Sequence, residues 1–191
     1  MTATAGKGDG RSRSAWRLAP WVGAAALLAV PAVAMRFTAE VNWTAADFLV
    51  MGGMLVAACG ALELAMRASP AWTYRAAAAV AVGTGFLLLW ANLAVGLVGD
   101  GDNPANWLFV GVLALGAVGT ILARLRPAGM ARVAAATALA QLAAAAVAFA
   151  VTSAPRPGVT AEIVALFGIF PALWLLSAWL FHRAAMARKG A

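Results

Sequence analysis

Cysteine and histidine each occur once in the 191 residues, as Cys59 and His182. A lone cysteine excludes an intrachain disulfide and a cysteine-based metal cluster. A lone histidine excludes a bis-histidine haem held within the chain. Lying at the edge of the last apolar run, it also cannot complete a Ser-His-Asp set. There is no His-Glu metal motif and no Cys-x-x-Cys pair. The glycines sit in apolar runs or in loops without the lysine that a phosphate-binding loop needs. No cofactor and no metal are expected, and no catalytic residue is assigned. An enzyme would have to work from Glu63, Asp47 or Cys59, and no constellation gives them roles.

Charge is also scarce. Only 11% of residues are charged and 64% are hydrophobic, against about a quarter charged and half apolar in soluble domains. A fold this small cannot hide that excess in a core, so lipid must cover it. The net charge of +7 raises the question of nucleic acid. The basic residues lie at the ends of apolar runs, where they set topology, and no nucleic-acid partner is expected.

What the chain does have is six apolar runs, at about 16–35, 45–66, 74–98, 105–123, 130–151 and 160–181. Each has roughly the 20 residues that carry a helix across about 30 Å of hydrocarbon. Helices are the open-chain solution there, because lipid offers the backbone no hydrogen-bond partner. The expected fold is an all-α, polytopic bundle of six transmembrane helices, forming a single domain over 16–182. A disordered basic tail over 1–15 precedes it and a basic tail over 183–191 follows. The loops are short, so no soluble domain is inserted.

Twelve of the fourteen basic residues fall on one side: Lys7, Arg11, Arg13, Arg17, Arg67, Arg75, Arg124, Arg126, Arg132, Arg183, Arg188 and Lys189. Only Arg36 and Arg156 fall on the other, which carries Glu40, Asp47, Asp100, Asp102 and Glu162. Positive residues stay in the cytoplasm, so both termini are expected there. The abundance of Ala and of Arg over Lys is that of a GC-rich bacterial genome, and a bacterial cytoplasmic (inner) membrane is the expected location. One alternative touches the first run. Its Arg-rich flank and Ala32-Val33-Ala34 fit a secretory signal with an A-x-A site. Cleavage there would leave five spans.

Most polar residues near the membrane have structural readings. Thr44 and Asp47 have the spacing of a capping box. Asn103-Pro104 reads as an N-cap followed by proline at the first helical position, and Thr160 with Glu162 reads likewise. Glu63 is one turn from the cytoplasmic end of the second run, four residues before Arg67, an order that favours a pair on one helix face. Gln141 is the most deeply placed amide, with Thr137 one turn away, and an interhelical hydrogen bond is expected of it. Gly85, Asn92, Gly96 and Gly99 fall on one stripe of the third run. Gly116, Gly119, Thr120 and Ala123 give the fourth a small face. Both suit close helix packing. Pro171, mid-way along the sixth run, frees the carbonyl of Phe167 and predicts a kink.

The outer side holds the most concentrated polar set. Asn42, Trp43, Asp47, Asp100, Asp102, Asn103, Asn106 and Trp107 lie in the first two outer loops, with Trp90 and Asn92 just beneath. Trp at this depth is an interface anchor. Acid, amide and indole together also outline a shallow cup for a cation or a polar lipid group. Trp43, Asp47, Trp90, Asn92 and Asn106, with Glu63 and Gln141 deeper, are the candidate polar path. Asn42-Trp43 and Asn106-Trp107 each precede a span, a basic inner loop and a further span. Two residues make this a faint echo of the helix-pair repeats of transporters.

The expected function is a non-enzymatic membrane component: a subunit, scaffold or assembly partner. The alternative is a small oligomeric transporter or channel for a small solute or ion. The expected partners are the lipid bilayer and other membrane subunits or further copies of the chain.

Overall fold

The computed structural model describes residues 9–99, 101–151 and 162–188. The expectations for Asp100, Arg156, Thr160 and Lys189, and for residues 1–8, lie outside them. All regular structure among the described residues is helical. The helices are α1 (Asp9–Ala34), α2 (Ala45–Ala68), α3 (Trp72–Ala94), α4 (Trp107–Ala123), α5 (Pro127–Val151) and α6 (Phe170–Ala187). A 3-10 turn (Pro104–Asn106) leads into α4, and a π-helical segment (Val164–Ile169) leads into α6.

Among the described residues, five helical stretches are long and apolar enough to cross a membrane: Ala45–Ala68, Trp72–Ala94, Pro104–Ala123, Pro127–Val151 and Val164–Ala187. The protein is a multi-pass, all-α membrane protein. The apolar portion of α1, Leu18–Ala34, is shorter; its 17 residues rise about 25 Å as a helix. α1 itself begins at Asp9, so the expected disordered tail is helical over 9–15.

The chain divides into two compact units, residues 1–63 and 64–191. In the first, α1 and residues 45–63 of α2 meet as an antiparallel pair. Cys59 Sγ donates to the carbonyl of Pro20 at 3.4 Å. Further along, a Cβ at Gly52 would lie 3.9 Å from Leu28 Cδ2. The connection opens with a turn in which Phe37 and Thr38 N–H groups both donate to the carbonyl of Ala34.

In the second unit, α6 packs extensively on both α5 and α3, α4 packs on α5, and α3 touches α4 more lightly. The buried apolar residues form two clusters. One joins the loop ends of α3 and α4 to α5 and the start of α6 through Leu88, Val98, Phe109, Ala145, Leu166 and Phe170. The other joins the end of α2 to α3, α5 and α6 through Ala65, Tyr74, Ala77, Met130, Phe181 and Ala184. Tyr74 and Phe181 meet edge to face with ring centroids 5.1 Å apart. Each such contact adds about 1 kcal/mol beyond the area it buries.

The third apolar run ends earlier than its hydropathy suggests. α3 stops at Ala94, and the chain turns through Gly96 and Gly99 at φ 76° and 79°. Both lie in the left-handed region that favours glycine. These two glycines therefore serve the turn, and the expected packing stripe shortens to Gly85 and Asn92. Gly85 does face other helices: its Cβ would sit 3.5 Å from Leu113 and 3.7 Å from Trp174.

Pro171 also behaves in its own way. The helix widens over Val164–Ile169, and Phe170 N–H donates to the carbonyl of Ala165, five residues back. Pro171 then stands in the first turn of α6, where its missing N–H matters least. The irregularity that the sequence predicts as a mid-helix kink is a change of helical period just before the proline.

Candidate functional site

The capping pair of α2 forms as its spacing predicts. Thr44 N–H and Oγ1 both donate to Asp47 Oδ2, at 2.7 and 2.8 Å, and Asp47 N–H returns a bond to Thr44 Oγ1 at 3.3 Å. The Asp47 carboxylate is thus engaged at a positive helix start. Trp43 beside it is half-buried and packs its ring on Phe48, centroids 5.3 Å apart. Glu63, half-buried, and Arg67, exposed, stand one turn apart on α2.

The remaining candidates belong to the second unit. Asn103 caps the 3-10 turn through Oδ1, which accepts from Ala105 N–H at 3.0 Å, with Pro104 following it. Asn106, only 4% exposed, holds the α3–α4 connection together. Its Oδ1 accepts from the N–H groups of Leu97 and Val98 at 2.9 and 3.0 Å. Both apolar side chains are thereby turned into the core while their backbone donors remain satisfied. Trp90 is exposed near the C-terminal end of α3, where an indole suits a membrane interface. Asn92 is half-buried, with its Oδ1 enclosed and without a hydrogen-bond partner.

Between the two apolar clusters lies a layer of neutral polar groups: Thr84 on α3, Thr137 and Gln141 on α5, and Trp174 and Ser177 on α6, all buried. The hydroxyls are satisfied by backbone. Thr84 Oγ1 donates to Val80 at 2.7 Å and Thr137 Oγ1 to Val133 at 2.9 Å, each one turn back. Ser177 Oγ reaches across to the carbonyl of Ala77 on α3 at 2.9 Å. Gln141 is fully buried, yet neither amide atom has a partner, and the Trp174 indole N–H also lacks one. The interhelical bond expected of Gln141 is not made.

No Asp, Glu, Lys, Arg or His is among the described buried residues. Nor do described His, Cys, Asp and Glu side chains form a group able to hold a metal. What the interior offers is hydrogen bonding without charge.

Sequence reasoning missed the role of Asn106 as a loop clamp, and the Trp174 indole in the neutral layer. The Asn106 bonds span eight and nine residues of irregular chain, which no periodicity marks. Trp174 carried a signal, an indole in mid-run, that was lost among eight tryptophans. Comparison of the chain with protein-family models, with curated proteins and with solved structures gave no match.

Proposed function

We propose that this protein is a non-enzymatic component of a membrane assembly, a subunit, scaffold or assembly partner. We place it in a bacterial cytoplasmic membrane with both termini on the cytoplasmic side. The observation that carries this reading is the neutrality of the interior. Proton and ion carriers place ionisable side chains inside the bundle, and none is buried among the described residues. The hydroxyls of the middle layer are occupied in holding backbone, and helices approach through Gly119 and Gly129. The orientation rests on the basic side of the chain.

A second reading, a small oligomeric transporter or channel for an uncharged solute, draws on one observation. Gln141 and Trp174 carry unpaired polar atoms in the interior, the kind of group that hydrogen-bonds a passing molecule.

The two readings separate on one pair of variants in the native host. A scaffold tolerates Gln141→Leu and loses its assembly with Gly119→Leu. A phenotype that vanishes with Gln141→Leu, while the protein remains folded and abundant, would favour transport and overturn the scaffold reading.

A further inference from the structure

The second unit is electrically one-ended. Arg67, Arg75, Arg124, Arg126, Arg132, Arg183 and Arg188 all lie at the end built around Tyr74, Met130, Phe181 and Ala184. The described acids of this unit, Asp102 and Glu162, lie at the other end. Several of the arginines are occupied. Arg75 donates to the carbonyls of Ser69 and Met66 at 3.0 and 3.2 Å. Arg183 lies over the ring of Trp179, 5.1 Å from its centroid. Arg132 Nε points to the carbonyl of Ala128 at 3.4 Å.

Arg124 and Arg126 are different. They flank Leu125 in the turn that joins α4 to α5. Arg124 has φ 49° and ψ 38°, and Leu125 has φ 56°. Two consecutive non-glycine residues in the left-handed region are costly and persist only where the surroundings over-determine them. Here they do. Tyr74 Oη donates to the Leu125 carbonyl at 2.8 Å, and Leu125 packs on the cluster beneath. Arg124 N–H donates to Ile121, Arg126 N–H to Ala123, and Met130 N–H to Arg126, at 2.9 to 3.0 Å. A Cβ at Gly129 would lie 2.9 Å from Ala123 Cβ. With Leu125 drawn inward, both arginines are exposed, and among the described residues no acceptor engages either guanidinium. The turn directly joins two membrane-spanning helices, so its side chains stand at the level of the lipid headgroups.

We infer that the Arg124–Leu125–Arg126 turn is a binding site for the phosphate of an anionic phospholipid. Guanidinium groups match phosphate oxygens as paired donors. A turn already locked by Tyr74 and Gly129 loses little freedom on binding. The occupant is a lipid because the helices on either side are long and apolar enough to cross a membrane, and it is anionic because the turn presents two exposed guanidinium groups.

The test uses the full chain in nanodiscs of equal phosphatidylglycerol and phosphatidylcholine, extracted into mild detergent. Retained lipid is counted by native mass spectrometry. The expected result is selective retention of phosphatidylglycerol, falling on the order of tenfold in R124Q/R126Q. The charge-matched control R183Q/R188Q should stay within about twofold of wild type, since it removes the same charge from elsewhere. Equal loss in the two double variants would show a diffuse field and overturn the site, as would unselective retention or no loss in R124Q/R126Q. Inorganic phosphate should leave the lipid in place; displacement by it would reassign the site to the free anion and overturn the lipid assignment. Tyr74→Phe, which keeps both charges and frees the turn, should lower retention; unchanged retention in a folded Tyr74→Phe protein would overturn the role of the locked turn.

Discussion

Gly119 of α4 and Val133 of α5 meet so closely that a Cβ on the glycine would lie 2.8 Å from Val133 Cγ1 and 3.0 Å from Cγ2. Real side chains do not approach that far, so the α4–α5 packing depends on the missing methyl. Gly119→Ala is expected to destabilise by about 1–3 kcal/mol, the usual cost of overpacking. Adding Val133→Ala should recover part of that loss. A double-mutant cycle on thermal midpoints in detergent reads the coupling. Additive effects would mean that the two residues are not in contact.

The Asn106 clamp makes a second expectation. Asn106→Leu leaves the N–H groups of Leu97 and Val98 without their acceptor in a buried place, at a cost of about 2–4 kcal/mol for the pair. Asn106→Asp keeps an oxygen in reach and should cost less. Proteolysis between α3 and α4, followed by mass spectrometry, should detect an opened loop in the leucine variant alone. Equal cleavage of both variants would remove the clamp from the account of this loop.

Gln141→Leu should not destabilise the bundle. Replacing a buried amide that has no partner with an apolar side chain of similar shape is neutral or stabilising, by up to about 1 kcal/mol. Thermal melting of the purified variant checks this. A loss of several degrees would mean that the amide has a partner in the membrane.

Orientation is open to chemical labelling, because Cys59 is the single cysteine and Cys59→Ala gives a background without one. In that background Ala128→Cys, beside the α4–α5 turn, should react with an impermeant maleimide only after the inner face is exposed. Gly101→Cys, in the α3–α4 loop, should react from outside in intact cells. The reverse pattern would invert the topology.

The helical class and the membrane location were legible in composition and run length. So were the caps, because Thr44–Asp47 and Asn103–Pro104 are short-range signals with a local mechanism. The end of α3 was not. Leu97 and Val98 are apolar because they enter the core from a loop, and a hydropathy run does not distinguish a buried loop residue from a helical one. Gly96 carried the signal that the helix had ended, a left-handed position one residue after the C-cap, but in an apolar run it also fits helix packing. The fifth apolar run starts at 130, whereas α5 begins at Pro127. The left-handed turn before it falls on Arg124 and Leu125, residues with no intrinsic preference for that conformation. Of the candidate path, the depth of Gln141 followed from its position in the run. Whether its amide was paired depended on side chains of other helices, which no local pattern reports.

The most direct measurement is purification of the protein from its native host in mild detergent, with quantitative mass spectrometry and flux assays on whatever is retained. The expected result is a protein partner in fixed stoichiometry, lost with Gly119→Leu and kept with Gln141→Leu. A solitary, monodisperse oligomer that moves an uncharged solute across liposomes, and stops doing so with Gln141→Leu, would contradict the scaffold reading.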